Sequence, residues 1–362
     1  MRVSAARNDE GRDGETVHGS VYTRHARHVT LKDVAELAGV SVSTVSLVMN
    51  DKKDARIAVK TQERVHRAIH ELQYRPNALA QNLVTGSSKF IGLVTDSIAT
   101  TPFAGQIIHG AQDRAWKQGY VLLIVNTEGN ESIERQAIRM FLEYKVHGIL
   151  YSTWYHHEIT LPESLKDMNT VLVNCYADDE NLTSVVPDEF NGGRTAANML
   201  LGQGHRRVAF INTTVESPAR AGRLAGYRHA LSERGIEEDP SLIFEAEPTQ
   251  EGGRTVAESI CASGATGVCC HNDRVAMGLY DALRNRGISV PSDISVVGFD
   301  DQEVIAAHML PPLSTVALPH YELGASGVDA VLSRPVNTGD HRILISCPAV
   351  YRASVAMQGN AR

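Results

Sequence analysis

Two short runs place acid and amide chemistry directly behind apolar segments: His271-Asn272-Asp273 follows GVCC, and Asp300-Asp301 follows ISVVGF. Short acids and amides at such places can take paired hydroxyl groups without long flexible stems. Asp300 and Asp301 make a poor acid–base pair, because adjacent residues point in different directions and no Ser-His-Asp set or metal-spaced cluster accompanies them. His156 and His157 stand similarly isolated. The cysteines, Cys175, Cys261, Cys269, Cys270 and Cys347, are odd in number and lack CxxC spacing, which reads as reduced, buried thiols rather than zinc ligands. Neither GxGxxG nor GxxxxGK[ST] occurs, so no nucleotide is indicated. The expectation is a binding protein, not an enzyme, with no cofactor and no metal.

A second kind of chemistry sits near the start, in VTLKDVAELAGVSVSTVSLVMN. Leu31, Val34, Ala35 and Ala38 have the spacing of one helix face, Gly39 suits a left-handed turn, and Ser41 suits the cap of a second helix over Val42 to Met49. That helix carries small polar residues, Ser43, Thr44 and Ser46, whose size lets a helix sink into a major groove roughly 12 Å wide. On spacing alone, an ordinary helical hairpin remains open. The charge distribution favours nucleic acid at this end: residues 21–89 hold eleven Lys and Arg against six Asp and Glu, whereas residues 90–362 hold twenty-one against thirty-two, within a net charge of −7.

These groups need elements to hold them. Residues 1–28 are polar and aperiodic and read as a disordered tail. A third helix is expected over Thr61 to Leu72, stopped by Pro76; Asn77 can cap a very short segment, ALAQNL, too short to hold itself together in water. From Phe90 the rhythm changes to brief Val- and Ile-rich runs (FIGLVT, VLLIV, GIL, TVLV, VAFI, GVCC, ISVVGF) alternating with helical stretches at 106–117, 131–144, 193–201, 223–234, 252–262 and 274–286. Short buried strands with helical crossovers imply parallel sheets covered on both faces, and the length suits two lobes. Ligand-facing residues then belong on loops after the carboxyl ends of strands. On the first lobe those are Asp96, Thr101 and Phe103 after FIGLVT, and Asn174 after TVLV.

The ordered occurrence of VTLKDVAELAGVSVSTVS, ELQYRPNALAQNL, LGQGHRRVAFI, RLAGYRHAL, HNDRVAMG and VPSDISVVGFDD resembles the lactose/galactose repressor (LacI/GalR) family from Val29 to about Val355. The resemblance implies an all-α helix-turn-helix DNA-binding head joined to an α/β effector domain of periplasmic-binding-protein type with two Rossmann-like lobes. It implies a head at 29–75, a hinge helix and linker at 76–88, a first lobe at 89–188 and 318–339, and a second at 189–317 and 340–356. The three crossovers fall near Pro187-Asp188, Ala317-Leu318 and Gly339 to His341. Carried onto this sequence, Val42 and Ser43 take the main specificity positions, Ser41, Thr44 and Ser46 add contacts, and Asn50 lies against the backbone. Asn77, Leu79, Ala80 and Leu83 belong to the hinge, with Leu83 as the minor-groove wedge. In the cleft, Asn272 and Asp300 are implied as polar-ligand contacts and Arg223 as the cleft arginine, beside loop capping for Asn272 and a surface salt bridge for Arg223 as plain structural readings.

Several positions depart from the pattern. Leu47 stands where the family commonly has arginine and cannot make its bidentate guanine contact, though it can pack on a thymine methyl. The loop with Lys52, Lys53, Asp54 and Arg56 is about two residues longer than usual, Ala58 replaces a capping serine, Asn174 stands where an acid is frequent, and Pro248 replaces a frequent aromatic. The resemblance implies a homodimer on near-palindromic double-stranded operator DNA, governed by a small effector, a sugar in the commoner case and a nucleobase corepressor in the alternative. No run reaches ~20 apolar residues, and the first residues lack a signal-peptide core, so a cytoplasmic, nucleoid-associated protein with no membrane partner is expected. A solute-binding transport protein shares the body but needs an export signal and has no such head. No heptad-bearing tail follows CPAVYRASVAMQGNAR, which argues against a tetramer built through one.

Overall fold

The computed structural model describes residues 29–49, 57–74, 88–100, 104–179, 181–333 and 342–359. The chain divides into two compact units, 1–80 and 81–362. The first holds α1 (Leu31–Ala38), α2 (Val42–Met49) and α3 (Val59–Glu71). Thr30 starts α1 with a reciprocal cap: its backbone N–H donates to Asp33 Oδ2 at 2.7 Å, and its hydroxyl accepts from the Asp33 N–H at 3.4 Å. Gly39 ends the helix at φ +65°, a conformation that favours glycine. Ser41 then accepts from the Thr44 N–H at 3.1 Å and opens α2. Val34, Ala35, Ala38, Val45, Val65 and Ala68 form the buried core of the three helices. α3 starts at Val59, two residues before the expected Thr61, and Ala58 supplies no side-chain cap; Gln62 Nε2 instead bonds the Ile57 carbonyl at 2.9 Å.

The second unit contains two six-stranded sheets. In the first the order is β11-β5-β4-β3-β1-β2, from β1 (Phe90–Thr95), β2 (Val121–Asn126), β3 (Gly148–Glu158), β4 (Thr170–Tyr176), β5 (Thr183–Pro187) and β11 (Arg342–Ile345). In the second it is β12-β10-β9-β8-β6-β7, from β6 (Val208–Thr213), β7 (Ile243–Ala246), β8 (Gly267–Cys270), β9 (Ser295–Asp300), β10 (Ser314–Ala317) and β12 (Ala349–Val350). Every pairing is parallel except β10 with β12. Helices α4 (Gly105–Lys117), α5 (Glu131–Glu143) and α11 (His320–Leu332) cover the first sheet; α6 (Glu189–Leu201), α7 (Pro218–Ser232), α8 (Gln250–Thr255), α9 (Ala257–Ala262) and α10 (Asp273–Asn285) cover the second. Each lobe has an apolar cluster on both faces of its sheet.

The chain leaves the first sheet at Pro187 and re-enters its helix layer at α11 after β10. The third crossover is a correction. β11 pairs in parallel with β5, Arg342 opposite Ser184 through Ile345 opposite Pro187, so residues 342–345 belong to the first lobe and the chain crosses at 346–348, not at Gly339 to His341. The single helix expected over 252–262 is two, divided at Val256. β5, β7, β10, β11 and β12 had no counterpart among the expected strands. No helix among the described residues is long and apolar enough to cross a membrane.

Candidate functional site

A cavity of about 280 Å³ opens between the two lobes, lined from both. Its centre is a buried ion pair. Arg223 on α7 donates from Nε to Glu189 Oε2 at 2.7 Å, and Nη1 donates to the His271 carbonyl. The guanidinium lies 3.6 Å above the centroid of Phe299, and Asp300 Oδ1 is 3.9 Å from Nη1, beyond hydrogen-bond reach. Glu189 is the first residue of α6, whose cap is Asp188, accepting from the Asn191 N–H at 3.0 Å. The two helices meet closely: a Cβ on Gly193 falls 2.1 Å from the Arg223 carbonyl oxygen, so only glycine there lets α7 approach. Burial works to raise the Glu189 carboxyl, but Arg223 and then His156 outweigh it and bring it down to about 2.

An acid network adjoins this pair. Asp300 ends β9 at φ +108°, unusual for a residue with a side chain, and its Oδ2 accepts from Gln302 Nε2 at 2.8 Å. Burial pushes its carboxyl up to about 6, against the pull of Arg223. Asp273, fully buried, accepts from Thr315 Oγ1 and the Gln302 N–H, both at 2.7 Å; burial and the nearby Asp300 raise it well above the ordinary range. Gly298 makes room for it, since a Cβ there lies 2.2 Å from Asp273 Oδ1. Asp301 turns away to Arg352 Nη2 at 2.7 Å.

The cleft residues expected from sequence divide. Arg223, Asn272, Asp300 and Asn174 all line the cavity. Asn174, at φ +58°, donates to the Thr153 carbonyl at 3.0 Å. Asn272 is also the cap of α10, its Oδ1 accepting from the Val275 N–H at 2.8 Å and its Nδ2 donating to the Pro248 carbonyl at 3.2 Å. Arg223 is buried rather than part of a surface salt bridge. Asp96 is not among the lining residues; its carboxylate accepts from the Ser97 N–H and from the Trp154 N–H, the latter at 3.1 Å, and so anchors β3 at Trp154. Thr101 and Phe103 lie outside the described residues.

Residues that the sequence analysis did not assign to the cleft complete the wall. Trp154 and Tyr155, with ring centroids 4.9 Å apart, give the first lobe an aromatic face that offsets the absence of one at Pro248. His156 is not isolated: its Nδ1 stands 3.5 Å from Glu189 Oε1 across the cleft, while His157 stacks on Tyr155 at 4.1 Å. His271 and His320 also line the cavity; burial lowers both imidazoles, His320 to about 4. A signal was available for the aromatics, since WYHH continues the GIL strand, but β3 shifts register between Ser152 and His157, and alternation did not carry through. All five cysteines are free thiols, and burial raises the Cys175 thiol to about 12. Among the described residues no group of His, Cys, Asp or Glu is arranged to hold a metal ion.

On the head, Ser41, Val42 and Ser43 are exposed, and Thr44, Ser46 and Leu47 half-buried. The Ser41 hydroxyl is 2.7 Å from that of Ser43 and 2.8 Å from that of Thr44, a small polar cluster at the start of α2. Asn50, Asn77, Leu79, Ala80 and Leu83, like the Lys52–Arg56 loop, lie outside the described residues.

A helix-turn-helix head on one unit and a cleft between two parallel-sheet lobes on the other define a ligand-responsive DNA-binding regulator. Residues 30–77 match the model of bacterial regulatory proteins of the lacI family, and residues 197–355 that of the periplasmic binding protein-like domain. The chain is 34% identical over 322 residues to the HTH-type transcriptional repressor PurR of Vibrio atlanticus, covering 86% of this chain and 93% of that one. It is 32% identical over 333 residues to the ribose operon repressor of Haemophilus influenzae, covering 90% and 98%. The fold is similar to the lac repressor dimer bound to operator and the anti-inducer ONPF, at TM-score 0.71 and 27% identity over 91% of this chain and 99% of that one. The chain belongs to the LacI family. It is a DNA-binding transcriptional repressor and not an enzyme.

Proposed function

We propose that two copies of this repressor hold a near-palindromic operator, one head per half-site, and that a small sugar-like molecule in the interlobe cavity sets how firmly they hold it. Two-fold symmetry in a dimer calls for two-fold symmetry in its site. α2 enters the major groove, with Val42 and Ser43 at base edges, Ser41, Thr44 and Ser46 beside them, and Leu47 against a thymine methyl. Asn50 meets the backbone, and the Asn77, Leu79, Ala80 and Leu83 segment serves the minor groove. Acting on chromosomal DNA, such a protein works in the cytoplasm, at the nucleoid.

The observation that carries the effector reading is the cavity's two-sided wall: Trp154 and Tyr155 from one lobe, and Arg223, Asp300 and Asn272 from the other, with Asn174 at the turn. An aromatic face suits the C–H side of a sugar ring, and acids and amides suit its hydroxyl edge. The similarity to repressors named for purine control supports a second reading, a nucleobase corepressor. One titration separates them: anisotropy of labelled operator DNA with the full chain at fixed salt, against pentoses, hexoses, disaccharides and purine bases. A sugar that weakens binding makes this an inducible repressor of carbohydrate genes; a base that strengthens it makes this a corepressed one. Binding no tighter than to scrambled DNA rejects the assignment of Val42, Ser43 and Leu47.

A further inference from the structure

From Ser88 onward the chain has four lysines, Lys89, Lys117, Lys145 and Lys166, and none after Lys166. Each stands just ahead of a strand of the first sheet: β1 starts at Phe90, β2 at Val121, β3 at Gly148 and β4 at Thr170. These four strands are neighbours in the order β4-β3-β1-β2, all parallel, and their starts are level, with Phe90 opposite Val121, Ile91 opposite Gly148 and Ile149 opposite Thr170. The lysines therefore share the amino-terminal edge of one sheet, and all four are exposed. At about 4.8 Å between strands, that edge is about 14 Å wide. The second sheet repeats the strand order with no lysine; Arg206 and Arg207 precede its β6, and Arg207 is held by Asp239 at 2.9 Å.

The same edge receives the chain that comes from the head. Ser88 donates to the Lys145 carbonyl from its N–H at 3.2 Å and from its hydroxyl at 2.7 Å, and the Lys89 carbonyl accepts from the Val121 N–H at 2.9 Å, so Lys89 and Lys145 flank the point of entry. Tyr74 and Ser88 are fourteen residues apart, a reach of about 50 Å at most. Lys166 is bonded to Glu163 at 2.6 Å, whereas Lys89, Lys117 and Lys145 make no ion pair among the described residues. Lys89 Nζ lies 4.5 Å over the Tyr120 ring, which holds it at the edge without neutralising it. The other acids there are Glu143 and Asp167, so three free ammonium groups stand against two carboxylates on a body that is otherwise strongly acidic. His147 meets Tyr120 at 5.2 Å; burial and then Lys89 lower its imidazole, which adds no charge at neutral pH. A cation is favoured at a helix carboxyl end, which accounts for Lys117 after α4 and Lys145 after α5 taken singly, but not for Lys89.

We infer that this edge is a second, sequence-independent DNA contact, at which Lys89, Lys117 and Lys145 meet the phosphate backbone of the duplex that the head reads. A duplex carries one charge per about 1.7 Å of its axis, so an edge of this width faces several phosphates. Ammonium groups meet them as point charges and read no base.

The test is anisotropy of labelled operator and of scrambled duplex of equal length with the full chain, from about 50 to about 200 mM salt, where each phosphate contact contributes about 0.9 to the slope of log affinity on log salt. Lys89→Gln, Lys117→Gln and Lys145→Gln together are expected to make that slope shallower by about 2 and to weaken operator and scrambled DNA by the same factor, on the order of tenfold. Arginine at the same three positions keeps the slope, and Arg206→Gln, on the edge of the second sheet, changes neither quantity. All these side chains are exposed, so the variants keep the wild-type urea midpoint. A triple variant with the wild-type slope, or one that loses operator binding alone, overturns the inference and leaves the head's reading of DNA in place. A loss from Arg206→Gln as large as that from Lys89→Gln reduces the effect to net charge and overturns it as well. If the wild type prefers operator no more than scrambled DNA, the assignment of α2 falls, while the slope on scrambled DNA still decides the lysine edge.

Discussion

The two lobes share one strand order, β1 to β5 and β11 matching β6 to β10 and β12, yet their edges at the cleft do different chemical work. The second lobe's polar groups are bonded to one another: Arg223 to Glu189, Asp273 to Thr315 and the Gln302 N–H, Gln302 to Asp300. The first lobe presents Trp154, Tyr155 and His156 on the stretch of β3 that Asp96 pins through the Trp154 N–H. Strand ends at equivalent places, Asn174 on β4 and Asp300 on β9, both take positive φ, so the backbone plan is common and the side chains differ. The second wall is braced by its own network, although His271 and Gln302 on it keep buried polar atoms without hydrogen-bond partners among the described residues, whereas the first is chiefly an aromatic face. Damage to the second lobe's bonded network should therefore appear in folding, and damage to the first lobe's aromatic face in binding.

The largest effect belongs to the ion pair. Glu189→Leu leaves a buried guanidinium unpaired and should cost about 3–5 kcal/mol in urea denaturation, whereas pairing it with Arg223→Met should cost much less than the two single losses together. Acid denaturation gives the same pair a second reading. The Glu189 carboxyl lies at about 2 in the folded chain against an ordinary 4.5, so its contribution is complete above pH 4.5 and is lost as pH falls toward 2, about 3 kcal/mol in all. Glu189→Gln should show no such slope in that window. Gly298→Ala comes next: its methyl strikes Asp273 Oδ1, and about 1–3 kcal/mol of stability should go with it. The smallest loss of stability is expected at Trp154, which is 39% exposed; Trp154→Ala should change the urea midpoint by less than ~1 kcal/mol while weakening the effector on the order of tenfold. If Trp154→Ala unfolds the chain as readily as Glu189→Leu, the contrast between the walls fails.

Much of the architecture was legible because it is written in local periods. The apolar spacing of α1, the glycine after it and the serine cap of α2 are all found where the residues imply them, since each depends on neighbours within a turn or two. Predominantly apolar runs such as FIGLVT and GVCC are strands where the residues imply them. The short strands β5, β7, β10, β11 and β12 were not legible: a run of five residues or fewer with mixed polarity is a strand only when a neighbour pairs with it. β11 is the clearest case, for its place in the first lobe follows from its register against β5, more than 150 positions earlier in the chain.

The sequence by itself determined the kind of protein, the helix-turn-helix, the two alternating α/β halves, and the strand ends that carry Asn174, Asn272 and Asp300. Only the tertiary structure decided what those ends meet. Glu189 reads locally as an ordinary acid in the first turn of a helix, and it becomes the partner of Arg223 because Gly193 lets α6 and α7 close to backbone contact. Asp96 reads as a ligand contact until β3 brings the Trp154 N–H to it, and His156 as a solitary imidazole until Glu189 of the other lobe stands beside it. Periodicity reports which way a side chain points within its own element; whether that direction ends in solvent, in a neighbour or in a cleft is set by how distant elements pack, and packing has no local period.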